Sequence, residues 1–92
     1  MFSHPNAPGF DNQTMLDYEQ YMDEYDRFED IDYAIAYSLI YRGIFDNACR
    51  EAIVFLGEDG TVDSCGILEQ LLGEMEDPIL QKWLQVALVR SE

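Results

Sequence analysis

The residues suited to nucleophilic catalysis are one histidine and two cysteines. His4 is the only histidine of the 92-residue chain, and the cysteines are Cys49 and Cys65. A cysteine nucleophile needs a base that is held rigidly beside the thiol, but His4 lies between Pro5 and the chain start, in a segment typical of irregular structure. No GxSxG motif and no glycine-rich phosphate loop is present. The sequence therefore predicts a protein that is not an enzyme and has no catalytic residue.

Acidic residues beside a glycine are the nearest approach to a metal site. The segment EDGTVD, residues 58–63, is similar to the second half of a calcium-binding EF-hand loop. Aligning Gly60 with the invariant glycine of that loop places Phe55 and Gly57 at ligand positions, and Gly66 at the position of the bidentate glutamate. The two cysteines are sixteen residues apart with no histidine near them, which argues against zinc. No metal and no cofactor is predicted.

Carboxylates are the groups that this sequence concentrates most. Eight of them fall within sixteen residues: Asp17, Glu19, Asp23, Glu24, Asp26, Glu29, Asp30 and Asp32. In a helix, which rises about 1.5 Å per residue, this density corresponds to one charge per ~3 Å of axis. A single DNA strand carries one phosphate per ~3.4 Å. The spacing predicts a surface whose electrostatic field is similar to that of a nucleic acid.

A second acidic group lies in the C-terminal half and consists of Glu58, Asp59, Asp63, Glu69, Glu74, Glu76 and Asp77. In the whole chain, nineteen acids against five bases give a formal charge of −14 and a pI near 4.1. A net charge of about 2 to 8 is enough to keep a small domain soluble. All acids of the two groups except Glu69 are therefore predicted to bind a partner.

The sign of the charge determines the class of partner. Nucleic acid and an anionic membrane surface are excluded as simple ligands, because the carboxylates repel phosphates. The predicted partner is a basic protein that itself binds DNA, such as a restriction nuclease or a nucleoid protein.

Helix-capping residues indicate how the chain is organised. Residues 1–12 are rich in proline, glycine and asparagine and are predicted to form an irregular N-terminal arm, whereas residues 13–92 form a single acidic helical domain. The predicted helix starts are Thr14, Asp30, Asp46, Asp63 or Ser64, and Asp77 with Pro78. Three predicted helix ends are Phe28, Gly43 and Gly57. The predicted fold class is all-α, a compact bundle of about five short helices.

One segment leaves an alternative fold open. Residues 53–63 also fit a short hairpin around a glycine-rich turn, because Ile53, Val54 and Phe55 favour strands. The alternative fold class is therefore α+β.

Two aromatic stripes are expected to bury apolar surface. Tyr33, Tyr37 and Tyr41 recur every four residues in IDYAIAYSLIY, a segment that is apolar nearly all round and is predicted to be the central, most buried helix. Their face is either a ridge of the core or of a homodimer, or a surface that binds another protein. A stripe around Trp83 is predicted to be core. Cys49 and Cys65 are predicted to be buried, reduced thiols.

Small size, high acidity, a single lysine and a helical pattern together resemble the DNA-mimicking antirestriction proteins of T-even phages. The resemblance covers the whole chain in size and charge and depends on no short motif. It implies an inhibitor of a host nuclease, a dimer shaped like duplex DNA, and binding to host nucleoid proteins.

Two other functions remain open, and the chain suggests one compartment. The acids of an immunity protein or antitoxin would neutralise a basic nuclease or toxin, whereas those of a structural module would only keep the surface solvated. The first ten residues lack the basic and apolar regions of a secretory signal, so a cytoplasmic location is expected, in the host cytoplasm for a phage protein.

Overall fold

The computed structural model describes residues 12–24 and 31–91, and these form five helices. In chain order the helices are α1 (Asn12–Glu24), α2 (Tyr33–Tyr41), α3 (Asn47–Asp59), α4 (Val62–Glu74) and α5 (Pro78–Ser91). The described residues contain no strand. The predicted all-α bundle of about five short helices is thus confirmed, and a hairpin at 53–63 is wrong because α3 and α4 occupy nearly all of that segment.

Aspartate caps begin α3 and α5 where the sequence predicts them. The Asp46 carboxylate accepts a hydrogen bond of 2.9 Å from the backbone amide of Cys49. Asp77 accepts from the amides of Ile79 and Leu80, at 2.9 and 3.2 Å, directly before Pro78. Each cap satisfies amides that have no partner inside the first turn, which explains why these two starts are readable from sequence.

Two other predicted starts differ from the structure. Thr14 lies inside α1 and is buried, so it does not cap that helix. The cap of α2 is Asp32, whose carboxylate accepts from the amide of Ile35 at 2.9 Å. The predicted cap Asp30 and the predicted helix end Phe28 lie outside the described residues, as does the N-terminal arm apart from Asn12.

The junction between α3 and α4 also differs from the prediction. Gly57 does not end α3, which continues to Asp59 and is closed by Gly60 with a left-handed φ of 71°. Helix α4 begins earlier than Asp63, at a capping box in which Thr61 and Ser64 exchange side-chain-to-amide hydrogen bonds of 3.1 Å. Glycine ends a helix only where the backbone turns left-handed, and that position is Gly60 rather than Gly57.

The core is formed mainly by α3 and α5. Helix α3 packs on α2, α4 and α5, and α1 lies against α5. Trp83 is only 5% exposed, which confirms the core prediction for its stripe. The prediction that α2 is the most buried helix is wrong, because only Ala36 and Ile40 of this helix are buried. Its tyrosines stay nearer the surface, where the hydroxyls of Tyr33 and Tyr37 find polar partners.

No helix in the described part of the chain is long and apolar enough to cross a membrane.

Candidate functional site

The acids of α1 lie on two sides of the helix. Asp17, Glu19, Asp23 and Glu24 are all exposed, while Tyr18 points into the core. Asp17 and Glu24 are seven residues apart, nearly two turns, and share one side. Glu19 and Asp23 are one turn apart and share the other side. The predicted site residues Asp26, Glu29 and Asp30 lie outside the described residues.

One arginine connects the acids of α1 with those of α3. Arg90 of α5 donates to Glu58 at 2.8 Å and to Glu19 at 3.2 Å. Glu58 also accepts from the hydroxyl of Tyr18 at 3.1 Å. Burial, and the negative charge of Glu58, raise the pKa of Tyr18 far above its usual value, so this hydroxyl remains a neutral donor. Glu19 and Glu58 therefore join three helices as well as carrying charge.

A second acidic cluster lies where α2 meets the junction of α3 and α4. The hydroxyls of Tyr33 and Thr61 both donate to Asp59. These two bonds lower the pKa of Asp59 below its usual value, which keeps the carboxylate ionised. Asp32 lines the same shallow depression as Asp59 and Tyr33, and Asp63 is close enough to contribute to the raised pKa of Tyr33.

The remaining predicted acids lie near the end of α4. The pKa of Tyr37 is raised by partial burial and then by the negative charge of Glu74, which acts on the Tyr37 hydroxyl. Tyr37 also stacks on Tyr41, with the ring centres 5.5 Å apart. Glu76 is exposed, and Asp77 caps α5. Among the described residues, the predicted acids thus fall into three clusters: on α1 with Glu58, around the start of α2 and the α3–α4 junction, and near the end of α4.

Three of the four bases in the described residues contact groups of their own chain. The described residues contain fourteen acids and four bases. Arg42 pairs with Asp46 at 2.8 Å, and the Arg50 guanidinium lies 4.7 Å from the centre of the Phe45 ring. Arg90 is held by its two glutamates. Asp17, Asp23 and Glu24 of α1 are exposed and form no ion pair with another described residue.

The two cysteines lie in different surroundings. Both are free thiols, as predicted, although Cys65 is only partly buried. Burial raises the pKa of Cys49 to about 11, so its reactive thiolate form is scarce near neutral pH. Among the residues that the structure describes, no group of three or more histidine, cysteine or acidic residues is arranged for a metal ion.

Comparisons with protein-family models, curated proteins and solved structures gave no match to this chain. The function is therefore inferred from the distribution of charge and the shape of the surface.

The network around Arg90 is the feature that the sequence did not predict. Arg90 and Glu19 are 71 residues apart, and nothing in the local pattern connects them. A usable signal was present in α5, where Arg90 is the only arginine and lies in the last helical turn. A cation there has to be matched by acids from whichever helix packs alongside.

Acid titration is expected to remove the stabilising effect of Asp46. Hydrogen bonds from the Cys49 amide and from Arg42 lower the pKa of this carboxyl below the ordinary 3.8. A carboxyl with a lowered folded-state pKa stabilises the fold above its unfolded pKa, and that contribution is lost as the pH falls through the folded value. Asp46→Ala is therefore expected to be less stable than wild type at pH 7, and the difference should shrink below about pH 4.

Urea denaturation at several pH values measures this difference, with Asp23→Ala as the control on an exposed residue. If the free energies of unfolding of Asp46→Ala and wild type differed by the same amount at pH 7 and pH 3, the ionised carboxylate would not be what stabilises the cap.

Proposed function

We propose that this protein is a non-enzymatic inhibitor that occupies the DNA-binding surface of a basic protein, such as a restriction nuclease or a nucleoid protein. Its carboxylates take the positions of DNA phosphates and accept charge-assisted hydrogen bonds from lysine and arginine side chains of the target. Inhibition is competitive, because the inhibitor and DNA need the same basic groups. The long-range field of the acids makes association fast and sensitive to salt.

The observation that carries this proposal is the arrangement of the cations. A protein that needs acids only for solubility has no reason to engage its own bases, yet three of the four bases in the described residues contact acidic or aromatic groups of the same chain. Here Arg42 and Arg90 are paired with acids of the same chain, and Arg50 stacks on Phe45. Asp17, Asp23, Glu24, Asp63 and Glu76 are meanwhile exposed.

The spread of the acids over three clusters supports a distributed contact. Each exposed ion pair contributes little, about 0.2 to 1 kcal/mol. A DNA mimic binds tightly only when many such pairs form together on a rigid support. The caps at Asp32 and Asp77 and the Arg90 network fix several of these carboxylates to the helical framework.

One feature favours an immunity protein or antitoxin as a second candidate. The stacked pair of Tyr37 and Tyr41 lies beside Glu74, and Tyr41 is 56% exposed. Aromatic residues are frequent among those that dominate binding at interfaces. An inhibitor of this type would concentrate its contact at one spot and need not cover a DNA-binding surface.

The proposal includes a homodimer, which would double the acidic surface. Tyr41 and Ile44 are 56% and 55% exposed at the end of α2 and just after it, and they offer apolar area for a second copy. Sedimentation velocity at micromolar concentration tests this, and a monomer over the whole range would remove the dimer from the proposal.

Capture from a bacterial lysate separates the candidates. The immobilised protein is incubated with lysate at low salt, with and without an excess of duplex DNA. We expect it to retain a DNA-binding protein and DNA to displace that protein, because both occupy the same basic surface. A partner that stays bound in excess DNA would favour the toxin-neutralising alternative, and capture of no basic protein would contradict the proposal.

A further inference from the structure

A groove with an aromatic floor and an acidic rim lies between α1, α3 and α5. It has a volume of about 270 Å³. Tyr21, Phe45 and Trp83 form the floor, and Asp17 and Glu24 contribute the rim from the side of α1 that they share. The groove exists only because α1 packs on α5, so no short sequence motif marks it.

The floor is held in place by packing and one polar contact. The Phe45 and Tyr21 rings meet the Trp83 ring edge to face, with ring centres 5.3 and 6.0 Å away. The hydroxyl of Tyr21 is hydrogen-bonded to the Asn47 side chain at 3.0 Å. A surface with so little freedom loses little entropy when a ligand settles on it.

The groove already contains a guanidinium. Arg50 places its central carbon 4.7 Å from the Phe45 ring centre and 6.0 Å from that of Trp83. Within the described residues Arg50 makes no ion pair, so this cation is held by aromatic rings rather than by a bound carboxylate. The chain itself thus shows that the floor accepts a guanidinium. The two rim carboxylates, set against one internal cation, leave the groove with excess negative charge.

We infer that this groove receives an arginine side chain of the basic partner, an inference that rests on the proposed function. The incoming guanidinium lies against the aromatic floor and donates hydrogen bonds to Asp17 and Glu24. Arginine fits better than lysine, because its planar group stacks on rings and pairs with carboxylates through two parallel hydrogen bonds. Arg50 occupies part of the floor and competes with the incoming side chain.

Trp83 provides a direct readout, since it is the only tryptophan of the chain. A hexa-arginine peptide is titrated into the full-length protein at low salt while tryptophan fluorescence is recorded, and a hexa-lysine peptide is titrated in parallel. We expect saturable quenching or a shift of the emission with hexa-arginine, and weaker binding of hexa-lysine. Phe45→Leu keeps apolar volume but removes a ring, and it should abolish the preference for arginine.

Matched charge variants distinguish the groove from the general field of the protein. Asp17→Asn with Glu24→Gln is expected to weaken hexa-arginine binding roughly fivefold. Glu51→Gln with Glu69→Gln removes the same charge outside the groove and should change hexa-arginine binding by less than about twofold. Arg50→Gln should tighten binding by more than Arg42→Gln does, because only Arg50 competes for the floor. Circular dichroism confirms that each variant is folded.

Several outcomes would overturn the groove inference. These are an unchanged Trp83 emission, equal weakening by the two double variants, or no difference between Arg50→Gln and Arg42→Gln. Emission that changes with protein concentration alone would show that a second copy covers the groove instead. If DNA displaces the captured partner but the peptide does not reach the groove, the proposed function stands and only this inference fails. If the peptide binds the groove but DNA displaces no captured partner, the groove inference stands and the proposed function fails.

Discussion

Gly57→Ala is expected to lower the free energy of unfolding by about 1–2 kcal/mol, although alanine is the better helix former. Gly57 lies inside α3, next to the Tyr18 hydroxyl of α1 and to Ala87 of α5. A methyl group there would overlap the hydroxyl oxygen of Tyr18 and lie 2.9 Å from the Ala87 side chain. The Tyr18 side chain is fully buried, and the contact with Ala87 includes its Cα atom in the α5 backbone. The new methyl group therefore fits only if the Tyr18 ring or α5 shifts. The hydrogen bond from Tyr18 to Glu58 should be lost as well.

Gly73→Ala is the matched control, because it makes the same substitution in a helix with no atom within 4 Å of the new methyl group. It is expected to raise the free energy of unfolding by up to about 1 kcal/mol. Urea denaturation followed by circular dichroism measures both variants. If Gly57→Ala were as stable as Gly73→Ala, Gly57 would not lie in close contact with Tyr18 and Ala87.

Gly57 also illustrates how far the sequence predicts this fold. Boundaries set by a single side chain were predictable, as at Asp46 and at Asp77 with Pro78, because a cap acts within its own turn. Gly57 and Thr14 were misassigned for the opposite reason. Both have residue types that mark helix ends, but here both are buried inside a helix, and Gly57 is small because α5 packs against it. Only the tertiary structure distinguishes these two uses of a small residue.

The candidate site, like the fold, is only partly predictable from the sequence. Charge and composition alone show which residues are acidic and lead to the prediction that their partner is basic. They do not indicate that Glu19 pairs with Arg90, 71 residues away, or that Asp17 and Glu24 border an aromatic groove. Both facts follow from the packing of α1 on α5, and long-range packing leaves no periodic signal in the sequence.

Neutralising several exposed acids together should have the largest effect on binding. The variant carries Asp17→Asn, Asp23→Asn, Glu24→Gln and Glu76→Gln, four exposed positions that form no ion pair within the described residues. We expect affinity for the captured partner to fall roughly ten- to a thousandfold, while single changes cost only a few-fold each. The fold should persist, since removal of like charges reduces repulsion.

A charge-preserving variant is the control. Exchanging aspartate for glutamate, and glutamate for aspartate, at the same four positions keeps the field and should leave affinity within about twofold. The logarithm of the wild-type affinity should fall with the logarithm of salt concentration, with a shallower slope than for DNA binding to the same partner, because carboxylates carry no condensed counterions. A neutralised variant that binds as tightly as wild type would mean that the acids only solvate the surface, and Tyr33, Tyr37 and Tyr41 would become the leading candidates for the site.

Competition on the purified partner tests the DNA-mimic function most directly. Labelled duplex DNA is bound to the partner, the unlabelled protein is added, and fluorescence anisotropy follows the release of DNA. Mutually exclusive binding predicts complete displacement, an inhibition midpoint that rises in proportion to DNA concentration, and no ternary complex. Anisotropy that stays high at saturating protein, or a complex containing the partner, DNA and this protein together, would contradict DNA mimicry.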